Sequence, residues 1–219
     1  MTVTNKREFF FQEQGNFAVD GTNVVNFNTA YGLGHGFEIG ANLIGVGLDF
    51  VKNSPVLVTN SSDSSAPFNP LVMLTSLKSF SLSEHIQIGI GAQAGINPLQ
   101  SDASIKDIAT FDFVLSRFEI PKAHLMFCAG GYYSNRVYMG VPSQAGGLFG
   151  FEFVVIEHKF LLMGDWIISN NAASVWVPGF VYHPHHNVAL SLGWQMPSPG
   201  TTNPQGLVFE LTLGNFSSK

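Results

Sequence analysis

Between Phe37 and Phe216 the chain repeats one unit, a stretch of about ten residues alternating apolar with small or polar, followed by a turn. The stretches from His85 to Gly95 and from Asn187 to Met196 show it most clearly. Period-two alternation puts every large apolar side chain on one face of a strand. The connections add a second rhythm. Short turns occur at Gly34–Gly36, Ser83–Glu84, Pro121–Ala123, Glu157–His158 and Pro184–His186. Between them fall longer polar links at 52–69, 97–107, 134–146 and 197–205, with Asn170–Asn171 as a short exception.

Lipid leaves backbone amides without hydrogen-bond partners, so only helices and closed barrels can span it. No apolar run here approaches the roughly 18 residues that a spanning helix needs. The predicted fold is therefore all-β, a single closed antiparallel up-and-down transmembrane barrel of about twelve strands, formed by residues 1–219 as one domain with 1–6 and 217–219 as tails. The strands are predicted at 7–14, 23–33, 37–50, 70–82, 85–96, 108–119, 124–133, 147–157, 159–169, 174–183, 187–196 and 206–216. Stretch 7–14 alternates poorly and has a second reading, as a tail that leaves an odd strand count. Short turns on one rim and long loops on the other are the arrangement of a bacterial outer-membrane barrel, with the short turns periplasmic.

Composition supports an apolar exterior. Only 11% of residues are charged, against about a quarter in ordinary soluble domains, which is too few to cover a water-facing surface. A net charge of −5 without any basic stripe excludes nucleic acid as a partner. Met1–Glu8 lacks the apolar core of a secretory leader, so the expectation is a mature outer-membrane chain with its leader removed. Cys128 is the only cysteine and is expected as a small inward wall residue.

With large apolar residues toward lipid, the opposite parity lines the lumen. That set comprises Asn26, Asn28, Glu38, Asn42, Lys78, Gln87, Gln93, Asp112, Glu152, Asp165, Gln195 and Glu210, joined by Thr110, Ser116, Ser191 and Thr212. The lipid set includes Ile86, Ile88 and Ile90, Phe111, Phe113 and Leu115, and Phe149, Phe151 and Phe153. Carboxylates in a narrow lumen, Glu152 with Asp165 and then Glu38 or Glu210, bias passage toward cations or form structural pairs with Lys78 or Lys159. Ile44, Val46 and Leu48 fall on the inward parity, unless a bulge after Leu43 switches it. Val154, Ile156, Leu161, Met163 and Ile167 fall on the inward parity and make part of the interior apolar. Tyr and Trp favour membrane–water interfaces, so Trp166, Trp176, Trp194, Tyr132 and Tyr133 are expected in an outer belt and Tyr31 and Tyr182 in an inner one.

Catalysis has little to stand on. All seven histidines lie in or beside the short turns, and the densest group is His183, His185 and His186. Ligation needs converging geometry, whereas these turns are spread round a ring, so no metal and no cofactor is expected. No Gly-x-Ser-x-Gly elbow, Walker loop or dinucleotide fingerprint occurs outside strand patterns. The expected protein is not an enzyme.

Taken whole, the chain resembles bacterial outer-membrane β-barrel proteins, in particular small channel or transporter-like barrels of about twelve strands. The segment from Thr29 to Asn42, with Tyr31–Leu33 ahead of a turn and Phe37–Gly40 after it, looks like the strand–turn–strand of transporter-like barrels. Such barrels commonly end in a strand whose last residue is Phe, here Phe216 followed by three further residues. Barrels for acidic oligosaccharides carry arginine-rich lumens, and this chain has only Arg7, Arg117 and Arg136. The expected function is an outer-membrane channel for passive passage of small solutes through a narrow, partly acidic and partly apolar lumen. The alternatives are a non-conducting barrel that docks a periplasmic or outer-membrane protein and, further down, a membrane-embedded lipid-modifying enzyme. The expected partners are the lipid bilayer and a small solute.

Overall fold

The computed structural model describes residues 7–21, 23–49, 56–58, 70–99, 107–140, 144–171, 173–201 and 203–214. Its strands are β1 (Phe9–Ala18), β2 (Asn23–Gly34), β3 (Phe37–Asp49), β4 (Val56–Val58), β5 (Leu71–Ser83), β6 (Ile86–Ile96) and β7 (Ala109–Ile120). They continue as β8 (Leu125–Ser134), β9 (Ala145–Ile156), β10 (Phe160–Ile168), β11 (Val175–His185), β12 (Val188–Pro197) and β13 (Gly206–Leu213). A single helical turn, α1 (Arg136–Met139), stands between β8 and β9. Much of the predicted loop sequence, at 51–55, 59–69 and 100–106, and the terminal segment 215–219 lie outside the described residues.

Twelve strands make a closed antiparallel ring, each paired with its chain neighbour, and β1 seals it against β13 from Phe11↔Leu213 to Ala18↔Gly206. Closure leaves no edge, which removes both the unsatisfied amides that lipid would penalise and the template for aggregation. β4 is additional and pairs only with Gly47–Asp49 at the long-loop end of β3. The first strand is a full member of the ring. It begins and ends later than the predicted 7–14 because the run Phe9–Phe11 masks its alternation.

The parity switch in β3 is a bulge. Val25 pairs with Val46 and Phe27 with Leu43, so Ile44 and Gly45 together oppose Asn26. Gly45 has φ +73, a left-handed conformation that costs glycine little, and its N–H donates to Asn26 Oδ1 at 2.7 Å. Ile44 therefore stays inward, and Val46 and Leu48 turn outward; a second register shift, between Phe160 and Leu161, sets Ile156 opposite outward Phe160 and so turns it outward as well.

The tight-turn rim explains three of the seven histidines. His35, His124 and His158 have φ of 53, 51 and 59, each at the left-handed position of its own turn, a region in which His is enriched several-fold over most residues. Outward glycines on the wall are roofed by neighbouring rings: a Cβ on Gly164 would meet the Phe151 ring at 2.4 Å, and one on Gly15 the Phe17 ring at 2.8 Å. The rings supply the packing that the glycines lack.

Candidate functional site in the barrel lumen

Where a side chain points is settled by register. On β6, Ile88 and Ile90 are outward, while Gly89, Gly91 and Gln93 are inward. Across the next pairing Gly91 faces Phe113, Gln93 faces Phe111 and Gly89 faces Leu115. Strand β7 therefore has the opposite parity to the sequence expectation. Phe111, Phe113 and Leu115 point into the barrel, and Thr110, Asp112 and Ser116 point out. The physical reason is space. A Cβ on Gly91 would stand 2.2 Å from the Phe113 ring, so the glycines of β6 leave the room that the aromatics of β7 fill.

Two more expected positions are corrected by the same pairing. Lys78 opposes Phe37 and Ile90 on the outer face. Its ammonium lies 5.3 Å from the Phe80 ring centroid and donates to the His35 carbonyl at the tight-turn rim, so a long side chain snorkels to water from an apolar wall. Tyr132 is 5% exposed and inward, opposite Phe113, and accepts from Asn171 Nδ2 at 2.8 Å. Asp112 pairs with outward Tyr133 near the long-loop rim, where a carboxylate reaches interfacial water. Tyr133, Trp166, Trp176 and Trp194 stand outward toward that rim, and Tyr31 and Tyr182 outward toward the other.

Asn26, Asn28, Glu38, Asn42, Gln87, Gln93, Glu152, Asp165, Gln195 and Glu210 all stand on the inward parity. Eight inward polar residues form two adjoining rows. One runs Asn42, Asn28, Gln12, Thr212, and the other Asn26, Gln14, Glu210, Ser191. Asn28 Nδ2 donates to Gln12 Oε1 at 3.0 Å and Asn26 Nδ2 to Gln14 Oε1 at 3.3 Å. The Glu210 carboxylate accepts from Gln12, Thr212 and Ser191. Gln12 and Gln14 were missed in the sequence because their strand alternates poorly, although they lie two apart like every lumen pair.

The facing wall is different in kind. β1 and β8 lie six strands apart whichever way round the ring one counts, so β7 to β10 face the amide rows. There Leu115, Gly130, Leu148 and Ile167 form one inward row. Beside it Arg117, Cys128, Gly150 and Asp165 form another, and Arg117 Nη2 pairs with Glu119 Oε1 at 2.7 Å. Gly150 leaves room for the Asp165 carboxylate, since a Cβ there would be 2.8 Å from Oδ1. Asp165 interacts electrostatically with Glu152 and Glu210. A recess of about 280 Å³ opens here, lined by Leu115, Cys128, Leu148, Glu152, Met163 and Asp165.

α1 narrows the long-loop mouth. Val137 and Tyr138 pack on Leu71, Met73 and Ala109, and the Phe111 ring lies 5.1 Å from both Tyr132 and Tyr138. Asn135 anchors the turn: its Oδ1 accepts from Thr110 N at 3.1 Å and Tyr138 N at 3.2 Å, and its Nδ2 donates to Ile108 O at 2.6 Å. Burial, with Tyr132 nearby as the lesser cause, pushes the Tyr138 phenol up to about 12.

Chemistry based on histidine would have to work at the tight-turn rim, where all seven histidines of the chain stand. The His185 and His186 rings lie 4.0 Å apart, and among the described residues no three His, Cys, Asp or Glu converge as a metal site would need.

A closed twelve-strand antiparallel ring, apolar outside and largely polar or small inside, is the fold of small outer-membrane barrels. The chain's structure is similar to that of the KdgM porin in complex with disordered oligogalacturonate, with a TM-score of 0.58 at 6% identity over 97% of this chain and 99% of that one. It is similar also to an active-site mutant of outer membrane phospholipase A from Escherichia coli, with a TM-score of 0.52 at 8% identity over 99% of this chain and 93% of that one. At such identities the likeness is one of fold. No protein-family model matches the chain, and no curated protein matches it in sequence.

Proposed function

We propose that this chain is an outer-membrane channel through which small solutes pass passively. The observation that carries this reading is the pair of polar rows from β3 round to β12, which give the lumen a wall of hydrogen-bonding groups. Such groups can exchange hydrogen bonds with water or a passing solute, as the polar interiors of water-filled outer-membrane barrels do. The inward carboxylates Glu38, Glu119, Glu152, Asp165 and Glu210 outnumber the one inward guanidinium, Arg117, among the described strand residues, so the lumen favours cations over anions. The porin among the similar structures agrees with a conducting role, and the scarcity of arginine sets this lumen apart from one for acidic oligosaccharides.

Planar-bilayer recording tests the proposal. Steady conductance with cation preference is expected, and replacing Glu152 by Gln together with Asp165 by Asn should lower that preference. An unchanged reversal potential would remove these two residues from the role. A folded insertion that stays silent would overturn the channel reading and favour the second one, a non-conducting barrel that docks another protein. That second reading draws on α1, which occupies part of the long-loop mouth.

A further inference from the structure

We infer that the solutes suited to this lumen have an apolar body carrying hydroxyl or amine donors and no negative charge, as in small aromatic or aliphatic alcohols and amines. The inference rests on the channel reading and deepens it. The two walls facing each other across the barrel ask different things of a solute. Leu115, Leu148, Ile167 and Phe113 offer apolar and aromatic surface, on which a sugar would leave its hydroxyls unpaired. The amide rows opposite are rich in acceptors, and some are already saturated: Glu210 accepts from three side chains, and Gln12 and Gln14 accept from Asn28 and Asn26.

Other acceptors have no donor. Asn16 Oδ1 and Gln93 Oε1 are buried without a hydrogen-bond partner among the described residues, and both residues stand on the inward parity. A solute that brings an O–H or N–H group supplies the donor these side-chain amides lack once they turn toward the hollow, where a solute that brings only acceptors does not. The carboxylates of Glu152 and Asp165 beside the apolar recess are acceptors as well, and they repel anions.

A matched trio tests this: benzyl alcohol, benzylamine and benzoate share one ring and differ only in the polar group, with glucose as a solute that has no apolar body. In planar bilayers the alcohol and the amine should reduce single-channel current at concentrations at least about tenfold lower than benzoate or glucose. Leu148→Ser should weaken both blocks roughly tenfold, the scale of one or two lost apolar contacts in a pocket. Thermal unfolding of this variant, and the same series on Leu115→Ser, separate lost binding from lost folding. Equal block by benzoate, or none by the alcohol and the amine, overturns the inference while leaving the channel in place. If the inserted barrel is silent, the channel reading fails by itself. Saturation-transfer NMR of the trio with the detergent-solubilised barrel then decides the lumen chemistry: contact with amine and alcohol but not benzoate upholds it, and uniform or absent contact rejects it.

Discussion

Glu13 sits where the sequence pattern alone would place a lipid-facing leucine. It pairs with Leu211 on one side and Phe27 on the other, and the Phe11 and Phe27 rings beside it are 6.4 Å apart on the outer wall. The ten residues of β1, at about 3.3 Å each and a tilt near 40°, cover roughly 25 Å of bilayer. Glu13 lies near the middle of Phe9–Ala18, so it stands close to the midplane. A basic residue on the lipid face at that depth costs about 2–4 kcal/mol and an acidic one less, here taken as about 1–2 kcal/mol. Leucine would remove that cost and add apolar surface against lipid, so Glu13→Leu should stabilise the barrel by about 2 kcal/mol. Reversible urea unfolding in lipid vesicles, followed by tryptophan fluorescence, should show the midpoint rise by about 1 M at constant slope. The neighbouring inward substitution Gln12→Leu is the control. It breaks contacts to Asn28 and Glu210 and should cost about 1–3 kcal/mol. A neutral or destabilising Glu13→Leu would refute the assigned facing of β1, or reveal a partner that needs the carboxylate.

The facing of β7 has an equally direct check: Val114→Arg on the lipid side should cost about 2–4 kcal/mol in the same assay, while Leu115→Arg toward the lumen should cost clearly less, and the reverse order would restore the sequence parity. Absorbance titration of the tyrosines should show a step near pH 12 that Tyr138→Phe removes. Because the folded-state value lies above that of the free phenol, the packing of α1 is fully stabilised below about pH 10 and weakens as the pH climbs toward 12. Asn135→Ala removes the cap and both strand anchors of α1, so amide exchange at Tyr138 and Met139 should accelerate, on the scale of the roughly 0.5–2 kcal/mol that a lost cap costs.

Most of the wall could be read from residue order. On β6 and β12 the large side chains Ile, Leu, Val, Trp and Met share one parity and Gly, Gln and Ser the other, and lipid tolerates only one orientation of such a strand, so alternation and facing are the same statement. The twelve strands, the unequal rims and the inward amides of β2 and β3 follow from that rule. Strand β7 does not obey it, because Phe111, Phe113 and Leu115 on one side and Val114, Phe118 and Ile120 on the other are all acceptable to lipid. Its facing was decided by the neighbour it pairs with: the empty volume over Gly89 and Gly91 exists only once β6 and β7 are in register, and only the large side chains fill it.

Lys78 and Tyr132 went astray for a related reason. A period-two pattern records which side of the sheet a residue occupies relative to its own strand, but it carries no height in the membrane and no knowledge of what lies opposite. A lysine on the lipid face is tolerable when its ammonium can reach a rim carbonyl, and a tyrosine is welcome in the lumen when an asparagine 39 residues away donates to it. Local alternation thus determined that the chain becomes a closed ring with its apolar face turned to hydrocarbon. Which groups confront each other across the hollow, amides on one wall and aromatics on the other, was settled only by closing the ring, since residues on opposite walls share no neighbours along the chain.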